Sequence, residues 1–204
     1  MTDFLFDGPD GAAKTLVLAH GAGAPMESEF MDFFAAGLAE NGIRVARFEF
    51  PYMVRRREDG KRRPPDRAPV LLETYLQVAA ELGPENLVIG GKSMGGRIAS
   101  MVADEAGVAG LVCLGYPFHP PGKPEKLRTE HLAGLKTPAL ILQGERDPFG
   151  RRAEVEGYAL SKSIAVDFLA DGDHDLKPRK ASGRTREENW AAAVERIAGF
   201  VDGL

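Results

Sequence analysis

The sequence predicts an α/β fold: a mostly parallel, doubly wound sheet with helices on both of its faces. Short apolar runs of strand length recur along the chain, as at residues 15–19, 111–114 and 139–142. These runs lack polar alternation, which is typical of strands covered on both sides. Amphipathic helical patterns stand between most of them. Strands that alternate with helices indicate parallel pairing through helical crossovers.

Length and composition restrict the class of protein. The 204 residues predict one domain, residues 1–204, with a sizeable core. A net charge of −4 argues against nucleic acid as a partner. No apolar run is long enough to span a membrane, and the first residues do not resemble a signal peptide. We therefore expect a cytoplasmic protein without a membrane partner. The single cysteine, Cys113, stands in an apolar run and is expected to be buried.

The first 50 residues predict two strands, a helix and a third strand. Residues 3–6 and 15–19 are separated by turn-forming residues, and we expect them to pair as an antiparallel hairpin. Four apolar side chains at helical spacing then predict a helix that ends at Asn41-Gly42: Phe30, Phe33, Phe34 and Leu38. Residues 43–50 read as the next strand.

Residues 51–69 interrupt this pattern with prolines and a concentration of basic side chains. We expect a surface loop or a partial lid. Six of its basic residues lie between Arg55 and Arg63, and two interpretations of them stay open. They form either a solvated charged loop or a basic rim that attracts an anionic substrate or partner.

The second half continues the alternation. The expected helices cover residues 72–82, the segment after Ser93, residues 153–160, and a C-terminal stretch with apolar positions at 190, 194, 197 and 201. The expected strands are residues 87–92, 111–114, 139–142 and 164–169. Residues 116–126 are rich in proline and predict irregular structure.

The most informative motif is Gly91-Lys92-Ser93-Met94-Gly95, which fits Gly-x-Ser-x-Gly. It stands between an apolar strand and a helical pattern, as a nucleophile elbow requires. Small residues are needed there because Cβ atoms flanking so tight a turn collide with the neighbouring strand and helix. Gly-Lys-Ser also resembles part of a phosphate-binding loop, but that motif needs a glycine at position 86, where asparagine stands.

A serine hydroxyl needs a base and a group that orients the base. Asp147 and His174 follow separate predicted strands and complete the chain order Ser, Asp, His. The carboxyl ends of parallel strands share one edge of a sheet, so we expect Ser93, His174 and Asp147 to meet as nucleophile, base and orienting acid.

Other residues compete for these roles less well. Glu145 is the nearest rival to Asp147, whereas Asp173 and Asp175 flank His174 on its own loop and have poor access to its ring. His119 and His131 precede Asp147, which is the wrong place in the chain order.

The remaining predictions concern the oxyanion and bound groups. The N–H of Met94 and that of Ala22, with Gly23 as the alternative, are expected to stabilise an oxyanion. His20 is interpreted as a residue that shapes the loop beside them. The histidines lack metal-ligand spacing, and no dinucleotide fingerprint is present, so we expect neither metal nor cofactor.

With these residues in place, the chain resembles the α/β-hydrolase superfamily over nearly its whole length. More narrowly, it resembles small dienelactone-hydrolase-like proteins related to the animal testis-expressed proteins and to NSL-complex subunit 3. The segments that carry this resemblance are 20–23, 91–97, 143–150 and especially Gly-Tyr-Pro-Phe-His-Pro-Pro-Gly-Lys-Pro at 115–124. The resemblance implies an α/β-hydrolase fold with a serine triad, and the short chain leaves no room for a large cap domain.

The leading functional hypothesis is a serine hydrolase of the esterase or thioesterase type that cleaves a small-molecule acyl substrate through an acyl-enzyme. The alternative is a non-catalytic protein-interaction module on a hydrolase scaffold, because a fold by itself does not imply a function. The substrate and the oligomeric state are not predicted.

Overall fold

A seven-stranded sheet organises the computed structural model, which describes residues 2–204. Its strands are β1 Leu5–Asp7, β2 Thr15–Ala19, β3 Arg44–Phe48, β4 Leu87–Lys92, β5 Gly110–Leu114, β6 Ala139–Gly144 and β7 Ile164–Leu169. Their order across the sheet is β1-β3-β2-β4-β5-β6-β7. Every neighbouring pair is parallel except β1 with β3. The predicted α/β class with a mostly parallel sheet is confirmed, and the described residues contain no large cap domain.

Six α-helices connect and cover these strands: α1 Glu29–Glu40, α2 Pro51–Asp59, α3 Ala68–Leu82, α4 Met94–Ala106, α5 Arg152–Val155 and α6 Arg186–Asp202. Local sequence explains where several of them begin. The Ser28 hydroxyl accepts the Met31 N–H at the start of α1. Thr185 and Glu188 form a capping box at the start of α6. Within residues 2–204, no helix combines the length and the apolar composition needed to cross a membrane.

The core consists of two apolar layers, one on each face of the sheet. Strand β2 shows how one strand serves both, because successive side chains of a strand point to opposite faces. Leu16 and Leu18 pack in the layer that contains α1 and α6. Val17 and Ala19 pack in the layer that contains α3 and α4. Helices on both faces explain why the central strands carry uninterrupted apolar runs.

The predicted hairpin between the first two strands is wrong. Strand β1 pairs antiparallel with β3, at register Phe6 with Ala46, and not with β2. Both edges of β2 are occupied by parallel neighbours, β3 and β4. Strand β1 therefore pairs with the outer edge of β3.

The predicted loop at residues 51–69 is also wrong for its first half, which forms α2. Pro51 suits the first position of a helix, and burial of Tyr52 and Met53 anchors it. Only two apolar positions face the core, so the helix has little apolar periodicity. Three arginines of residues 51–69 pair with acids: Arg55 with Asp66, Arg57 with Glu49, and Arg63 with Asp59. Much of the basic charge is therefore neutralised locally.

Candidate active site

Ser93 occupies a sharp turn between β4 and α4. Its backbone has φ 51° and ψ −111°, a strained conformation for a residue with a side chain. The Ser93 N–H is held by the Leu114 carbonyl at 2.9 Å. A Cβ atom at Gly91 or Gly95 would lie 2.3 or 2.4 Å from the carbonyl oxygen of Ala19. Glycine on each side of the turn therefore lets β2 approach the elbow closely.

Three side chains from separate strand ends meet at this turn. The Nε2 atom of His174 lies 2.8 Å from Ser93 Oγ, and its Nδ1 atom lies 2.8 Å from Asp147 Oδ2. Ser93 follows β4, Asp147 follows β6 and His174 follows β7. The structure thus brings together the three residues that the sequence predicted would meet.

Asp147 is fully buried, and both of its oxygens have donors. Its Oδ2 also accepts from Gln143 Nε2 at 2.9 Å, and its Oδ1 accepts the Phe149 N–H at 2.8 Å. The competing acids are engaged elsewhere. Glu145 accepts the Asp171 N–H, and Asp173 accepts N–H groups of its own loop. Among the acids of residues 2–204, only Asp147 contacts the ring of His174.

These contacts determine which nitrogen of His174 carries the proton. A carboxylate accepts hydrogen bonds, so the Nδ1 atom beside Asp147 is the protonated one in the neutral ring. The lone pair of Nε2 then points at the Ser93 hydroxyl. The Phe149 ring stacks on the imidazole with a centroid distance of 4.2 Å, which fixes the plane of the ring.

Lys92 is a feature of the site that the sequence reasoning missed. Its Nζ atom donates to the main-chain carbonyl of His174 and lies 3.1 Å from Asp175 Oδ1. Burial lowers the pKa of this lysine, and the charge of Asp175 acts in the opposite direction. The sequence did contain a signal for this role: a lysine ends an otherwise apolar strand. Lysine is almost never fully buried unless it is paired, so a partner was to be expected.

The loop after β2 supplies the second side of the site. Ala22 and Met94 both line a cavity together with Ser93. Among the turn and loop hydrogen bonds of residues 2–204, neither of their N–H groups has a partner. Tyr52 Oη donates to the Ala22 carbonyl at 3.0 Å, and Arg56 Nη1 donates to the Gly23 carbonyl at 3.1 Å. Helix α2 therefore braces this loop from outside.

His20 supports the same loop from below. It is fully buried, and its Nε2 accepts the Phe50 N–H at 3.2 Å, so Nδ1 is the nitrogen that donates to the Gly21 carbonyl at 2.7 Å. Burial lowers the pKa of His20. These contacts agree with the predicted shaping role, and they leave its ring no free nitrogen to act as a base.

A second serine–histidine contact lies outside this site. Ser100 Oγ is 2.9 Å from His131 Nε2, but the Ser100 hydroxyl donates to the Arg97 carbonyl at 2.7 Å. The Tyr116 hydroxyl, also near Nε2, donates to a carbonyl as well. Nε2 of His131 is therefore a donor toward Ser100, the reverse of what a general base requires.

Two cavities meet at Ser93. One, of about 570 Å³, runs beside His174, Lys92 and Trp190. The other, of about 350 Å³, runs beside Arg97 and Arg128. Both are lined by the same three residues at their junction: Ala22, Ser93 and Phe149. The elbow serine is therefore accessible from two directions.

Comparison with known proteins agrees with this architecture. Residues 12–202 match the alpha/beta hydrolase domain family. A lidless α/β serine hydrolase from Xanthomonas campestris shares the fold at 19% identity and a TM-score of 0.71, over 95% of this chain and 86% of that one. An α/β serine hydrolase homologue from Coxiella burnetii has 19% identity and a TM-score of 0.69, over 95% and 90% of the two chains.

A dienelactone hydrolase from Anabaena variabilis is also similar, at 20% identity and a TM-score of 0.73, over 97% of this chain and 89% of that one. At these identities the three solved structures establish a shared fold. The family match covers nearly the whole chain and includes Ser93, Asp147 and His174. The chain therefore belongs to the alpha/beta hydrolase domain family.

Proposed function

We propose that this protein is a serine hydrolase that cleaves an ester or thioester through an acyl-enzyme intermediate. The observation that carries the proposal is the continuous contact from Ser93 Oγ through His174 to Asp147, with 2.8 Å at each step. A serine held on a strained turn with a correctly protonated histidine beside it is an activated nucleophile.

In acylation, Ser93 Oγ attacks the carbonyl carbon and His174 Nε2 takes the hydroxyl proton. The tetrahedral oxyanion accepts hydrogen bonds from the N–H groups of Ala22 and Met94. Collapse of the intermediate breaks the bond to the leaving group, which receives the proton from Nε2. Asp147 stabilises the imidazolium that exists between the two transfers.

Deacylation repeats the sequence with water as the nucleophile. His174 removes a proton from water, the hydroxide attacks the acyl carbon, and the proton returns to Ser93 Oγ as the acid leaves. The open approach to Ser93 from two cavities supports a small or extended substrate. Each oxyanion donor is expected to contribute about two to three orders of magnitude in turnover.

We also propose the closer kinship with the dienelactone-hydrolase-like proteins related to the animal testis-expressed proteins and NSL-complex subunit 3. The segment at 115–124 supports it. Part of this segment adjoins the site, since Gly115 approaches the His174 carbonyl and Pro117 lines the smaller cavity.

A fluorophosphonate probe tests the activity directly. The wild-type protein should be labelled covalently at Ser93, and Ser93→Ala should abolish the labelling. Turnover of short-chain p-nitrophenyl esters should follow the same pattern. Absence of labelling in folded protein would overturn the proposal and favour the non-catalytic interaction module.

Ser100→Ala is the matched control. It removes the other serine that contacts a histidine, and it makes the same chemical change in the same helix region. Labelling and turnover should persist in Ser100→Ala. If Ser100→Ala abolished the labelling, the nucleophile would be Ser100, and our assignment of Ser93 would be wrong.

A further inference from the structure

The two cavities at Ser93 differ in their access to the base. His174 lines the 570 Å³ cavity and is not among the residues that line the 350 Å³ cavity. A leaving group must lie near His174 Nε2 to receive its proton. If Ser93 acts as proposed above, the leaving group therefore occupies the larger cavity and the acyl chain enters the smaller one.

The smaller cavity carries two cationic side chains without acidic partners. Within residues 2–204, neither Arg97 nor Arg128 forms an ion pair, and neither guanidinium has a hydrogen-bond acceptor. The Nε atom of Arg97 is buried without a partner. Burial lowers the pKa of Arg128, and the charge of Arg97 lowers it further. Two like charges in a partly desolvated wall are unfavourable unless an anion joins them.

The nearby acids do not neutralise this pair. Asp66 lines the same cavity, but its Oδ1 is bonded to Arg55 at 2.5 Å. Glu130 shares a neighbouring outer cavity with both arginines and forms no ion pair with either, among the residues described. Among residues 2–204, no acid therefore forms an ion pair with Arg97 or Arg128.

The rest of the cavity wall is apolar, with Leu71, Ile98 and Pro117 among its residues. A volume of about 350 Å³ holds a short chain. Ser93, apolar side chains and two guanidinium-bearing side chains therefore line the same cavity. Guanidinium groups match the planar geometry of a carboxylate through paired N–H donors.

We propose that Arg97 and Arg128 bind a carboxylate at the far end of the acyl chain, so that the substrate is a monoester or monothioester of a short dicarboxylic acid. The inference rests on the hydrolase function proposed above. It assigns to the two arginines a substrate-binding role that is separate from the chemistry at Ser93.

A matched pair of esters tests it: mono-p-nitrophenyl glutarate and p-nitrophenyl pentanoate, which have acyl chains of equal length. In wild-type protein the ratio of kcat/KM, charged over neutral, should be high. Arg97→Gln and Arg128→Gln should each lower this ratio about tenfold or more, since hydrogen bonds to charged groups are among the stronger ones. Arg97→Lys should recover only part of it.

Arg62→Gln is the control, because it removes the same charge from an exposed arginine that lines neither cavity. Its ratio should equal that of wild type. A ratio that stays constant in Arg97→Gln and Arg128→Gln, or a fall equal for both esters, would overturn the proposal.

Calorimetry separates this inference from the hydrolase proposal. Glutarate should bind to Ser93→Ala protein, and binding should be lost when Arg97→Gln or Arg128→Gln is added. If the protein bound glutarate but a fluorophosphonate failed to label it, the result would support the carboxylate site and contradict the hydrolase proposal. Binding of inorganic phosphate without binding of glutarate would overturn the carboxylate assignment.

Discussion

The side-chain amine of Lys92 donates a hydrogen bond to the main-chain carbonyl of His174. The last residue of β4, which directly precedes Ser93, therefore also holds the loop that carries His174. We expect Lys92→Met to lower kcat about tenfold to a hundredfold, because small displacements of a catalytic group reduce rates by this order.

Stability separates that effect from unfolding. The buried ammonium loses hydration, and its partner Asp175 is largely exposed. Replacing a buried charge by an apolar side chain of similar size is often neutral for stability. The free energy of unfolding of Lys92→Met, measured by urea denaturation, should change by no more than about 1 kcal/mol. A loss of activity that tracked a large loss of stability would contradict the positioning role.

Gly115 tests the same contact from the other side. Its φ is +63°, and a Cβ atom there would lie 2.7 Å from the His174 carbonyl oxygen and 3.0 Å from Lys92 Nζ. Gly115→Ala should displace the His174 loop and reduce kcat severely, with a stability loss of about 1–2 kcal/mol from the left-handed backbone. Gly122→Ala is the control, since it has φ +71° but open space around its Cβ position. It should lose stability without losing kcat.

Asp147→Asn preserves the shape of the buried acid but changes its hydrogen bonding. An amide has both a donor and an acceptor end, so it no longer forces the proton onto His174 Nδ1. We expect kcat to fall by about three to four orders of magnitude, as in other serine triads. Steady-state kinetics with a p-nitrophenyl ester measures it. A fall below tenfold would show that Asp147 does not orient the base.

His20 predicts a pH dependence of stability. Its pKa in the folded protein lies below the ordinary value of 6.5, because burial disfavours the charged ring. The unfolded chain therefore binds the proton more readily, and stability falls as pH drops from about 6.5 toward the folded pKa. The limiting slope for one such group is about 1.4 kcal/mol per pH unit.

His20→Gln should flatten this slope. Glutamine offers an oxygen near the position of Nε2, where the Phe50 N–H needs an acceptor, and it does not titrate. Urea denaturation at several pH values between 5 and 7.5 measures the difference between wild type and variant. Parallel curves for the two proteins would show that His20 does not control stability in this range.

Sequence reasoning succeeded where local pattern and topology agree. The elbow motif, two polar residues after apolar strands and the chain order Ser, Asp, His predicted that Ser93, Asp147 and His174 would converge, and parallel pairing of β4 to β7 brings them together. This convergence could be predicted without interatomic distances, because the carboxyl ends of parallel strands lie at one edge of the sheet.

The predictions were wrong or incomplete where the outcome depends on contacts between segments that are distant in the sequence. The partner of β1 depends on which sheet edges are already occupied, and the hairpin prediction considered only neighbours in sequence. Helix α2 buries only two side chains against the core. Two apolar positions among several arginines are too few to produce a recognisable helical pattern. The contacts of Lys92 and the missing partners of Arg97 depend on residues far away in the chain, so no local pattern could reveal them.

The position of β7 has a consequence for how activity is lost. Among residues 2–204 this strand is hydrogen-bonded on one side only, to β6, and most of its side chains are incompletely buried, whereas β4 is central and fully buried. Opening of such an edge requires less free energy than global unfolding. His174 follows this edge strand and Ser93 follows the interior strand β4. Mild denaturant should therefore abolish the proposed activity while most of the sheet still protects its amide hydrogens from exchange.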